Sequence, residues 1–100
     1  MQTDKRFDDA LGLYLEEVRK NVAHRQNVSI SHRVGRSYVK VCEDRDGHTD
    51  SVHSFVDING AVFKPESWSR PALHARGNIF NDDHGREALD PSGYGIKYLR

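Results

Sequence analysis

Two dipeptides constrain this chain more than anything else in it: Asp46-Gly47 and Asn59-Gly60. Both fall between runs that alternate apolar and polar residues, and both residue pairs tolerate the positive φ angles that tight hairpin turns need. Ser37 to Glu43 (SYVKVCE) puts Tyr38, Lys40 and Cys42 on one face and Val39 and Val41 on the other. Ser51 to Ile58 (SVHSFVDI) sets Val52, Val56 and Ile58 against His53 and Phe55. Ala61 to Lys64 completes an antiparallel meander, and Asn27 to Ile30 is a candidate strand in front of it. A sheet of this kind has at least one apolar face to cover.

Residues 4 to 24 supply the cover. Phe7, Leu11, Tyr14, Val18 and Val22 recur every three or four positions, and Ala10 and Leu15 widen the stripe, so the segment reads as one amphipathic helix. Thr3 is the expected N-cap, with Asp4 complementing the positive end of the dipole. Beyond the meander, Pro65 ends the ladder because it has no N–H to donate. Pro71 opens an expected short helix over 71 to 76, and Gly77 is its expected left-handed cap. Asn81 to Gly95 reads as loop, and Ile96 to Leu99 as a last strand that returns Arg100 to the sheet. The expected fold is α+β: a long N-terminal helix packed on a four- or five-stranded antiparallel sheet, with a short second helix. One hundred residues make a single domain, 1–100.

Lys and Arg (15) balance Asp and Glu (15), which argues against a general polyanion coat. The balance is uneven along the chain, however. Arg19, Lys20, Arg25, Arg33, Arg36 and Lys40 follow one another with no acid between them, while Glu43, Asp44, Asp46 and Asp50 come after. Such a stretch suits either one anion site or a solvated strand face. Cys42 is the only cysteine, so no internal disulfide forms and a reducing cytoplasm is the expected compartment. No apolar run approaches the ~20 residues of a membrane span, and no signal-peptide pattern opens the chain.

Catalytic motifs are absent: there is no Walker A loop, no GxSxG elbow and no HExxH. Cys42 reads as a buried structural thiol, and Asp82, Asp83 and His84 are adjacent ligands that rarely converge on a metal. The segment from Trp68 to Asn78 carries more chemistry. An indole stacks on a purine, a guanidinium forks onto phosphate, and an Asn amide pairs with an adenine edge. Trp68, Arg76 and Asn78 therefore suit a nucleotide clamp, while residue types alone favour Trp68 as a cap on the core with the arginines solvated.

The stretches SVHSFVD, KPESWSRPALHARGNIF and GYGIKYLR resemble a widespread family of small bacteriophage proteins. Architecture and motif spacing are also similar to the phage Thoeris anti-defence sponge proteins, oligomers that sequester the cyclic ADP-ribose signal of bacterial TIR-domain immunity. That resemblance implies an aromatic stacked on adenine, an Asn ten residues later and a late Arg on phosphate. Trp68, Asn78 and Arg100 match those places, and Arg36 best matches an earlier basic residue, with Arg33 and Lys40 as alternatives. It implies a homo-oligomer, dimer or higher, in the host cytoplasm, binding a cyclic adenine nucleotide (possible cyclic oligonucleotides included) between subunits with Arg36, Arg76 and Arg100 on the pyrophosphate. With no catalytic motif, no convergent metal ligands and no apolar span, the expectation is no enzyme activity, no cofactor, no metal and no membrane partner. The competing expectations are a single-stranded nucleic-acid binder with Tyr38, Phe55 and Trp68 as platforms, an inhibitor acting by protein contact, and, least supported by motifs, an enzyme using His53 or His74 as base.

Overall fold

The computed structural model describes residues 1–98. Helix α1 spans Lys5–Val22 and is followed by strands β1 (Val28–Val34), β2 (Val39–Arg45), β3 (His48–Val56), β4 (Ala61–Phe63) and β5 (Gly77–Asn78), with a 3-10 turn at Arg86–Ala88. The strands form one antiparallel sheet in chain order, β1 to β5. The expected α+β architecture is therefore the observed one. No helix among the described residues is long and apolar enough to cross a membrane.

Helix α1 starts one residue later than expected because Asp4, not Thr3, is the cap. The Asp4 carboxylate accepts from the Phe7 amide at 2.8 Å, while the Thr3 hydroxyl donates to Asp8 instead. The helix buries Phe7, Leu11, Tyr14, Leu15, Val18 and Val22, the stripe that the 3.6-residue period lays on one face. Against it lie Ile30, Val39, Val41, Val56 and Val62 from the sheet.

Both Asx-Gly signals become turns. Asp46 and Gly47 have φ angles of 53° and 82°, the pair of positive values that a two-residue turn of type I′ requires. Strands β2 and β3 consequently run right up to the turn, further than their alternation alone marks. At the second turn the Asp57 carboxylate accepts from the Asn59 and Ala61 amides, and Ile58 stands in the turn, exposed, instead of extending the strand.

The register between β2 and β3 also departs from simple alternation. Val41 pairs with Ser54 but Cys42 pairs with Val52, so His53 is an extra residue in β3. A bulge of this kind turns two successive side chains to the same side. His53 and Ser54 are accordingly both buried and bonded to each other, where alternation sets them on opposite faces.

The segment 71 to 76 is not helical. Six residues are too few to nucleate a helix without strong tertiary support, and their amides bond across to β4 and the residue after it: Ala72 N–H donates to the Lys64 carbonyl and Arg76 N–H to the Val62 carbonyl. Pro71 bridges Pro65, and Gly77 belongs to β5 rather than to a left-handed cap. What Gly77 supplies is room, since a Cβ there would sit 3.2 Å from Ala88. The short second helical element lies instead at Arg86–Ala88, within the stretch read as loop. Where a last strand was expected over 96 to 99, the described residues of the tail make the bridge Leu89 to Ile96, and the Lys64 ammonium donates to the Ile96 carbonyl; Leu99 lies outside the described residues. Arg100 lies outside the described residues.

Candidate ligand-binding site

With α1 covering one face of the sheet, the other face is left to a layer of loop. Phe55 and Cys42 are buried on that side, outside the aliphatic core. The Tyr38 ring meets Phe55 edge-on at 5.8 Å and Phe63 at 6.2 Å between centroids. Burial raises the Cys42 thiol above its usual pKa, and the nearby Arg33 and Lys40 charges oppose that rise.

The connection from Lys64 to Arg76 folds back over this face as a tight excursion. Glu66 and Ser67 amides both donate to the Arg70 carbonyl, and the Arg70 guanidinium donates to Glu66 at 2.8 Å. At its tip Trp68 settles above the Lys40 ammonium, 4.3 Å from the ring centroid, with the Arg33 guanidinium carbon at 6.0 Å. Cation–π attraction accounts for that placement. Trp68 stays 48% exposed, so it is neither a closed core cap nor a free platform.

Beside it opens a cavity of about 450 Å³, lined by Arg33, Arg36, Tyr38, Lys40, Phe55 and Ser69. Arg33 is fixed by a bond to the Thr49 hydroxyl, and the Gly35 amide closes the β1–β2 turn onto the Tyr38 carbonyl, which sets Arg36 at the rim. Among the described residues none of these three cations has a carboxylate partner. Like charges gathered without a counter-charge repel one another, and an anion between them relieves that cost. A second depression of about 680 Å³ shares Tyr38 and Ser69 with the first and is bounded by Phe63, Pro71, Ala72 and Leu73. On the far side of Trp68 a third groove carries Asp50 and Glu66. Trp68 lines this groove while its ring stands over Lys40 of the basic cavity.

The residues expected at the site divide. Arg36 and both of its alternatives, Arg33 and Lys40, come together, and Trp68 stands at their edge. Asn78 and Arg76 are elsewhere in the same chain. Asn78 lies in β5, three strands from Lys40 in β2, a separation of roughly 14 Å at ordinary strand spacing. Its amide donates to the Asn59 carbonyl and accepts from the Phe80 amide. Arg76 donates to the Leu73 and His74 carbonyls. The two were expected beside Trp68 because a helix was expected between them. Tyr38 and Leu73 had no place in the nucleotide clamp read from the sequence. The strand alternation that puts Tyr38 beside Lys40 is the signal for the first, while Leu73 has no periodic partner to mark it.

A serine and a histidine do meet, in the core: Tyr14 and Ser54 hydroxyls lie 2.7 Å apart and His53 Nδ1 is 3.0 Å from Ser54 Oγ. Burial holds His53 near pKa 4, with Arg25 and Lys64 adding to the fall and Glu43 opposing it. Burial also pushes the Tyr14 phenol upward, against the Ser54 bond. With Ser54 at 0% and His53 at 1% exposure, no substrate reaches this trio from outside. Among the described residues no three His, Cys, Asp or Glu side chains converge as metal ligands. Asp83 of the acidic loop instead accepts from the Gly85 and Glu87 amides.

Fold and site together define an α+β domain whose sheet is closed by a helix on one face and carries an unneutralised basic cavity on the other. The chain belongs to DUF7717, a family of unknown function whose model matches residues 3–99. No curated protein and no solved structure matches it.

Proposed function

We propose that this protein is a phage anti-defence binding protein that holds a cyclic adenine nucleotide in the host cytoplasm without cleaving it. The observation that carries this reading is the cavity in which Arg33, Arg36 and Lys40 converge without a carboxylate, beside the aromatic rings of Tyr38 and Trp68. Guanidinium forks suit phosphate oxygens, and rings at the same cavity suit a base. A volume of about 450 Å³ is in the range of small-molecule sites. The Ser54–His53 pair is sealed in the core, away from this cavity, which supports a ligand that is held rather than turned over. A homo-oligomer of at least two copies belongs to the same reading, on the resemblance to the sponge proteins alone. Calorimetry with cyclic ADP-ribose isomers and cyclic di- and trinucleotides is the test. Saturable heat with one of them, and its recovery unaltered by chromatography, is expected; no heat across the panel overturns the reading.

A second reading, single-stranded nucleic-acid binding, draws on the same clustering of Tyr38 and Trp68 with three cations. Phe55 does not serve it as a platform, being 2% exposed. Oligonucleotide affinity falling steeply with salt, by counterion release, favours this second reading over the first.

A further inference from the structure

The basic cavity and the apolar depression next to it are one trough with a ridge in the middle. Tyr38 and Ser69 line both. On one side stand Arg33, Arg36 and Lys40; on the other, Phe63, Pro71 and Leu73. Leu73 is 80% exposed, the most solvent-facing large apolar residue among those described. It is held outward deliberately by the backbone. His74, next in the chain, has a φ of +73°, an unfavourable left-handed conformation for a residue with a side chain. The Arg76 guanidinium fixes that conformation by bonding both the Leu73 and His74 carbonyls.

Resting on the reading that the basic cavity holds a nucleotide, we infer that the site is in two parts: phosphates lie among Arg33, Arg36 and Lys40, and the nucleoside crosses Tyr38 to lie against Leu73. The base contact is then on the Tyr38–Leu73 side, not on Trp68. The indole is already engaged by Lys40, and the groove it shares with Asp50 and Glu66 offers carboxylates already paired with Arg45 and Arg70 rather than free cations. Trp68 instead reports on the anion, since a phosphate that draws Lys40 away changes the surroundings of the only tryptophan.

The experiment titrates the full chain with pyrophosphate, ADP and adenosine, following calorimetry and tryptophan emission together. Pyrophosphate alone is expected to shift the emission, and adenosine alone to leave it unchanged. ADP is expected to bind about tenfold more tightly than pyrophosphate, the scale of one aromatic contact to a base. Leu73→Ser, a change at an exposed position that leaves the fold intact, removes about fivefold of ADP affinity and none of pyrophosphate affinity. Lys40→Met weakens both ligands and abolishes the emission change. Equal affinity for ADP and pyrophosphate, no effect of Leu73→Ser on ADP, or quenching by adenosine alone overturns the two-part site. Leu73-dependent ADP binding with no heat from any cyclic nucleotide upholds the two-part site and removes the sequestering role. Cyclic nucleotide binding indifferent to Leu73 does the reverse.

Discussion

Under α1, Val39, Val41, Val56 and Val62 meet Phe7, Leu11, Tyr14 and Val18, all of them at 5% exposure or less. On the opposite face of the same strands Lys40 stands over Phe55, and Arg33 and Lys40 stand under a half-exposed Trp68. Two neighbouring residues of β2, Lys40 and Val41, therefore serve different ends. The apolar face lowers free energy by leaving water, about 25 cal/mol for each Å². The cationic face gains little by folding and keeps its charges in reach of a solvent-borne anion. The sheet is a partition between stability and recognition.

That contrast can be broken first where a charged pair sits on the stability side. Arg25 and Glu43 form an ion pair at 2.9 Å, with only about a tenth of either side chain exposed. Glu43→Gln leaves a buried guanidinium unpaired and is expected to cost about 3–5 kcal/mol in urea denaturation. Next comes pH. His53 is held near pKa 4 against an ordinary 6.5, so the unfolded chain binds its proton more readily than the folded one. Its contribution to stability is complete above pH 6.5, declines as pH falls through that value, and levels off below about pH 4. The loss is about 3 kcal/mol at 1.36 kcal/mol per pH unit. His53→Gln should flatten the melting curve's pH dependence over that window.

Smaller effects sharpen the comparison at β2 itself. Val41→Ala is expected to cost about 2 kcal/mol of stability while leaving pyrophosphate affinity unchanged, as two lost methyls and a partial cavity dictate. Lys40→Met, one residue away, is expected to change stability by less than about 0.5 kcal/mol and to remove the anion response. If Lys40→Met costs as much stability as Val41→Ala, the two faces do not divide the work.

How far the chain announced this arrangement depends on how local each signal is. The stripe from Phe7 to Val22 and the Asx-Gly turns are each written within a few residues, and each is found in the structure. The extra residue at His53 is not legible, because alternation continues on either side of it and only pairing with β2 reveals the step. Residues 71 to 76 carry a helix's opening proline, yet the partners that decide their conformation are carbonyls of Lys64 and Val62. The site followed the same rule. Arg33, Arg36 and Lys40 converge because they are near in sequence on one hairpin, whereas linking Trp68 to Asn78 needed the helix that did not form.

Cys42 lies in β2, between β1 and β3, at 0% exposure and close to the two cations that face Trp68. As the chain's one thiol, it turns the protein into its own clock. An alkylating reagent reaches it only in molecules whose covering loop and cations have moved aside, so the pace of labelling counts openings of that cover. A ligand that settles over Arg33 and Lys40 should slow that clock, even where it leaves the melting temperature nearly unchanged.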